Sequence, residues 1–283
     1  MKVIINADDF GINKIVTSEI ERMIELKIIS STTIMANGEC LDEVKRFAIL
    51  HPEISFGVHL CMSEFSSITK SPILNKYGLT DEFGIFIKHA IFGLSLFPEE
   101  LKYAIKEELR AQIRVIKNLG IHISHADSHH HFHTIYQLKS VVNDVLKEFG
   151  IEKIRLGTSV EPINIIKQKL FKQNVNTGTK TILSNSVVFP NKSLITRALK
   201  GVQMVIYRTL LNAYYKRRFK TTDSFYSYKS FHDKQIKTAK NCLIELMCHP
   251  GHPGAVYIEE MNIVKQKSIF KDNSIQLITY NEL

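Results

Sequence analysis

KVIINADDFG, residues 2–11, places the β-branched run Val3-Ile4-Ile5 directly before Asp8-Asp9. A short apolar run closed by polar residues predicts a buried strand over Lys2–Ala7 that empties into a polar loop. The same pattern recurs outward from it. Residues 14–27 read as helix, Ser31–Ala36 (STTIMA) as a second strand, Leu41–Leu50 as a second helix, and Ile54–Leu60 (ISFGVHL) as a third strand ending at His59. The order is βαβαβ.

Further along, Ile105, Leu109, Ile113, Ile116 and Leu119 share one face of a predicted helix over 101–119, and Gly120 stands where a C-terminal cap belongs. Ile121–Ser124 then reads as a strand leading into His125-Ala126-Asp127-Ser128-His129-His130-His131-Phe132-His133. A helix over Tyr136–Phe149 stops at Gly150, Lys153–Leu156 reads as strand, and Cys242–Cys248 is a strand emptying into HPGHPG, residues 249–254. Residues 61–100 and 160–235 break the alternation and are expected as elaborated loops, the latter a basic insertion. One domain over residues 1–283 is expected. Repeated strand–helix units imply a parallel sheet, either an open doubly wound sheet or a (β/α) barrel. The barrel is preferred because Asp8-Asp9, His59, the Asp127–His133 cluster and His249 each follow the C-terminal end of a strand, and a barrel gathers those ends on one face.

Composition narrows the classes. With 44% hydrophobic and 23% charged residues the chain is an ordinary globular sequence. The start of the sequence lacks a secretory pattern, and no uncharged apolar stretch approaches the roughly 20 residues of a membrane span. Cys40, Cys61, Cys242 and Cys248 show no C-x-x-C spacing, so reduced thiols in a cytoplasmic protein are expected. The net charge of +9 is uneven: residues 162–222 hold twelve Lys or Arg and no acid. That asymmetry fits a local anionic surface rather than a nucleic-acid-binding protein. Ile195, Leu199, Val202, Ile206 and Leu210 would share one helical face opposite Arg197, Lys200 and Arg208, and a core-facing stripe is the simpler reading. The alternative is a peripheral membrane contact, with Tyr207, Tyr214 and Tyr215 interleaved and Lys216, Arg217, Arg218 and Lys220 following.

Taken singly the polar groups say little; Asp8-Asp9 could cap the helix that follows. Together, a carboxylate with two imidazoles suits a divalent cation that keeps positions open for water and substrate, and a neighbouring carboxylate can take a proton from acidified water.

NADDFG (Asn6–Gly11), STTIMANG (Ser31–Gly38), GVHL (Gly57–Leu60), HADSHHHFH (His125–His133) and ELMCHPG (Glu245–Gly251) resemble, in that order, the motif set of the YdjC-like (ChbG-type) carbohydrate deacetylases. The resemblance implies a TIM-barrel-related deacetylase fold and one divalent ion, Mg2+ or Zn2+, on Asp9, His59 and His129. It implies Asp8 as general base and His249 as the group that protonates the leaving amine or stabilises the oxyanion. His125, Asp127, His131 and His133 would orient ligands or face substrate; His130 has no assigned role, and His252 reads as a turn residue. The expected reaction releases acetate from an N-acetylated sugar. The rival readings are a metal-dependent phosphoesterase or other ester hydrolase, and a non-catalytic carbohydrate- or membrane-associated protein. A homodimer is left open.

Overall fold

Val3, Ile4, Ile5 and Ala7 lie fully buried in strand β1 (Lys2–Phe10), which sits inside a parallel sheet as its apolar run requires. β2 (Ser31–Ile34) pairs with its Asn6–Phe10 end and β6 (Leu243–Cys248) with Lys2–Ala7, while β7 (Gln276–Leu277) adds at Lys2 and Val3. β3 (Ser55–Leu60), β4 (Ala126–Ser128) and β5 (Ser224–Ser227) complete the order β4-β3-β2-β1-β6-β5, every pairing parallel. These statements rest on a computed structural model that describes residues 1–159, 194–233, 235, 236, 239, 241–266 and 275–283, with the backbone alone for 194–202. The part of the predicted insertion over 160–193 lies outside the described residues.

Single parallel bridges join Ala126 to Ile154 and Lys153 to Lys220, and the Ser159 amide donates to Phe225 O at 2.9 Å. Residues 153–159 therefore stand between β4 and β5, and the sheet curls round on itself. All strand C-termini consequently face one way, which brings residues from 8 to 252 into one neighbourhood.

Helices α1 (Lys14–Glu25), α2 (Leu41–Leu50), α5 (Glu99–Asn118) and α6 (Lys139–Glu148) each bury an apolar stripe, and α9 (Ala255–Lys265) buries Met261, Ile263 and Val264 near its end. The insertion after β3 folds into short helices α3 (Pro72–Lys76) and α4 (Ala90–Gly93). α5 anchors it from below. Buried Gln112 accepts from the Cys61 amide at 2.8 Å and donates to its carbonyl at 2.6 Å, and buried Glu108 accepts from the Ile68 and Thr69 amides, each at 2.9 Å.

Two motif glycines have steric causes. A Cβ on Gly38 would lie 2.3 Å from the Gly11 carbonyl oxygen, so the loops after β1 and β2 cross only if that position has no side chain. A Cβ on Gly57 would lie 2.5 Å from the His125 ring.

The structure departs from the sequence reading in several places: Lys153–Leu156 forms single bridges rather than a strand, and strand β5 lies inside the stretch 160–235 expected as loop. Asp8 and Asp9 belong to β1 rather than to a loop, because pairing continues through Phe10. The strand expected at Ile121–Ser124 forms instead at Ala126–Ser128, where Val58–Leu60 of β3 supplies a partner for residues of low strand propensity. In helix α7 (Leu194–Lys216) the described members of the predicted stripe face outward: Ile206 and Leu210 are 53% and 59% exposed, whereas Leu211 and Tyr215 are fully buried. Tyrosine chemistry decides this orientation. Tyr215 OH donates to His133 O at 2.6 Å and Tyr207 OH to Thr134 O at 2.5 Å, so α7 docks by satisfying carbonyls of the histidine loop. The side chains of Ile195, Leu199 and Val202 lie outside the description. Among the described residues, no helix is long and apolar enough to cross a membrane. α8 (Tyr228–Asp233) follows β5 directly.

Candidate metal centre and active site

A regular strand would send Asp8 and Asp9 to opposite faces. Here the register with β2 shifts between Ala7 and Phe10, and Asp9 adopts φ +68°, a left-handed conformation rare for a residue with a side chain. The irregularity keeps both carboxylates buried at the strand end. His59, at the end of β3, and His129, just after β4, meet Asp9 there. Asp9 Oδ1 lies 2.8 Å from His129 Nδ1 and 3.1 Å from His59 Nε2, and the two nitrogens are 3.3 Å apart.

These atoms converge on a point more than they bond one another. Asp9 Oδ1 is buried and, among the described residues, has no partner in hydrogen-bond geometry. First-row ions take imidazole and carboxylate ligands at about 2.0–2.2 Å, for which ligand atoms roughly 3 Å apart are the natural spacing. Burial pushes the Asp9 carboxyl up, but the imidazoles of His129, His252 and His59 outweigh it and hold the group well below the usual carboxylate range. His59 is pushed down by burial yet raised further by Asp127 and Asp9. A cation bound at this point would take the place of those imidazole protons.

Behind the triangle lies a residue that the sequence reading passed over. Arg155 is completely buried, and its Nη1 contacts both Asp8 Oδ2 and Asp127 Oδ2 at 2.6 Å. Its Nη2 donates to Asp8 Oδ1 at 2.7 Å and its Nε to Glu245 Oε1 at 2.6 Å. Asp127 in turn accepts from His59 Nδ1 at 2.6 Å, which leaves Nε2 for the shared point. Burial pushes Glu245 up to about 7 despite Arg155, and Tyr280 OH donates to it at 2.5 Å. The buried carboxylates of Asp8, Asp9, Asp127 and Glu245 thus outnumber the single guanidinium among them, an excess of negative charge that a bound dication would offset. The available signal was a lone arginine inside Lys153–Leu156, since a charge within an apolar strand needs a buried partner.

The remaining histidines separate by place. His130 and His131 take φ +53° and +59°, and this left-handed pair turns the loop after β4 sharply. His131 packs edge-on against Phe225 and is pushed down to about 3 by burial, then by Arg155. His130 meets Ser63 Oγ at 2.8 Å and is pushed down to about 4 by burial and His129. His125 and His133 are fully buried away from the triangle: His125 stacks on Tyr280 with ring centroids 3.6 Å apart, and His133 Nδ1 meets Ser128 Oγ at 2.6 Å. His249 stands at the mouth with Glu260, which accepts from its amide at 2.9 Å; burial lowers its pKa, but Glu260 and Asp8 raise it above the ordinary value. His252 is no mere turn residue. Its Nε2 lies 3.0 Å from Asp9 Oδ2, a placement due to the second HPG of HPGHPG folding back over β1. Tyr257 lies against both, with ring centroids 4.9 Å from His249 and 5.2 Å from His252.

The family model of YdjC-like proteins matches residues 2–276. The chain belongs to the YdjC-like family. Curated relatives of this YdjC-like chain include a protein named carbohydrate deacetylase from Vibrio cholerae (strain O395), 33% identical over 163 residues, which cover 57% of this chain and 61% of the relative. A carbohydrate deacetylase from Clostridium beijerinckii is 30% identical over 195 residues, 69% of this chain and 71% of the relative. The match to the Vibrio protein thus spans about three-fifths of that relative's length. Among solved structures, an Enterococcus faecalis V583 protein described as a cellobiose-phosphate cleavage protein superposes with a TM-score of 0.61 at 21% identity, over 99% of this chain and 98% of that one. That likeness supports the α/β fold of a curled parallel sheet with helices.

Proposed function

We propose that this YdjC-like chain hydrolyses the acetamido group of an N-acetylated sugar, giving acetate and a free amino sugar, in a reaction that depends on one divalent ion. The observation that carries the reading is the convergence of Asp9 Oδ1, His59 Nε2 and His129 Nδ1 within 3.3 Å of one another, beside Asp8 and His249. The name that the Vibrio cholerae and Clostridium beijerinckii relatives carry, carbohydrate deacetylase, supports it. Two imidazoles with one carboxylate favour zinc or a similar ion over magnesium, which prefers oxygen and water.

Asp9, His59 and His129 would hold a dication, which when bound would supply Lewis acidity to water and to the acetyl carbonyl. Asp8 accepts the proton of the attacking water. Its bidentate contact with Arg155 fixes the orientation and, against the upward push of burial, holds the carboxyl below its usual range. Asp8 is therefore a weak base that acts on water already acidified. His249, whose cationic form Glu260 and Asp8 favour against the downward push of burial, delivers a proton to the departing nitrogen. Asp127 holds the His59 tautomer, and Tyr257 at the rim offers an aromatic face to the sugar.

Acetate assays of the purified protein with zinc, manganese or magnesium, over chitooligosaccharides, sugar nucleotides and N-acetylglucosaminyl lipids, test the proposal. Metal-dependent acetate release supports it. Phosphate release from phosphoesters without acetate release would favour the phosphoesterase, and turnover of neither would favour a binding protein.

A further inference from the structure

We propose that Glu64, tethered by Lys88, is a positioning residue that holds His129 in its ligating tautomer, as Asp127 does for His59. The inference rests on the metal site proposed above and concerns a residue outside that ligand set.

His129 presents Nδ1 to the shared point, so a cation there leaves the ring proton on Nε2. Among the described residues that buried nitrogen has no partner in hydrogen-bond geometry, and the carboxylate beside it is Glu64, with Oε2 at 3.3 Å. The other Glu64 oxygen, Oε1, is taken by Lys88 Nζ at 2.7 Å. Each carboxylate oxygen thus faces its own basic group, Oε1 the Lys88 ammonium and Oε2 the His129 ring, and rotation of the side chain would separate one of them.

The backbone beneath Glu64 is equally constrained. Its carbonyl accepts from Asn37 Nδ2 at 3.0 Å and from Cys61 Sγ at 3.3 Å, and Gln112 and Glu108 clamp the loop on either side to α5. Such anchoring suits a group whose task is orientation. Glu64, His129 and His130 also lie close enough together to suggest a second cation site. Two features argue against that: the Lys88 ammonium already fills the position beside Oε1, and His129 Nε2 must carry a proton once Nδ1 is engaged. The sequence offered only a solitary acid in C-M-S-E-F, four residues beyond Leu60.

Removing an acceptor behind a metal-bound histidine typically weakens metal affinity about 10- to 100-fold. Calorimetric zinc titration of the metal-free protein tests this directly. Glu64→Leu is expected to bind zinc about 10- to 100-fold more weakly than wild type. Glu64→Gln, which keeps an acceptor without the charge, is expected to fall between. The thermal midpoint of the metal-free proteins separates the alternatives, because a loop-stabilising role lowers that midpoint and leaves zinc affinity alone. Wild-type affinity in Glu64→Leu overturns the proposal; should that variant not fold, wild-type affinity in Glu64→Gln does so. A wild-type protein that takes up no zinc overturns the metal reading itself, and this inference with it.

Discussion

Arg155→Met is the perturbation that probes the buried network most directly. Methionine matches much of the side chain's volume but leaves the carboxylates without their cation. The damage is unequal. Asp127 keeps His59 and Thr33, and Glu245 keeps Tyr280, whereas Asp8 loses the partner of both its oxygens and retains the amide of Asn6 at 2.9 Å. Stranding one buried charge costs about 3–5 kcal/mol, a large fraction of the roughly 5–15 kcal/mol that holds a domain folded. The cost depends on pH with a definite sign. In the wild type the folded Asp8 pKa lies below its unfolded value, so its contribution is present above that unfolded value and lost only as pH falls through the folded one. In the variant, the upward push of burial is opposed only by His59, His249 and the Asn6 amide, so the folded pKa rises relative to wild type and the variant's deficit grows as pH rises. Urea unfolding of the metal-free proteins at pH 5 and pH 8 is the assay. The deficit of the variant should reach about 3–5 kcal/mol at pH 8 and shrink by at least ~1.4 kcal/mol at pH 5, the linkage of one proton over one pH unit. A deficit below about 1 kcal/mol at pH 8, within the range of an ordinary hydrogen bond, would falsify the account of Arg155 as the cation of this network. Equal deficits at both pH values would refute its linkage to protonation.

Other outcomes follow from the same geometry. Asp8→Asn should lower acetate release by about 10²- to 10⁴-fold with zinc affinity nearly intact; a variant that turns over like wild type excludes Asp8 as the base. Glu245, pushed up to about 7 by burial, makes the wild type less stable as pH rises from the unfolded carboxyl value toward 7. Glu245→Gln should therefore flatten the stability profile between about pH 4.5 and 7, and a profile parallel to wild type contradicts that. Gly57→Ala drives a Cβ to 2.5 Å from the His125 ring and should cost about 1–3 kcal/mol by overpacking; an unchanged melting temperature would show that the ring can withdraw.

Sequence alone was enough for the βαβαβ grammar, the long helix over residues 101–119 and the polar groups after strand ends, because these depend on local periodicity and on the rule that parallel strands share a C-terminal face. Among those groups it was the resemblance to the YdjC-like motifs that pointed to Asp9, His59 and His129, which lie within 3.3 Å of one another. Tertiary structure decided what the chain cannot encode locally. Arg155 reads as an ordinary strand residue and gains its role only when three separate strands, β1, β4 and β6, bring Asp8, Asp127 and Glu245 around it. His252 reads as part of a turn until β6 runs beside β1 and sets it against Asp9. The face of α7 that is buried was chosen by tyrosine hydroxyls meeting carbonyls of the histidine loop, a long-range polar match that outweighed the apolar stripe. Periodicity reports which residues can be buried; which partners they meet depends on how distant segments close around the same point.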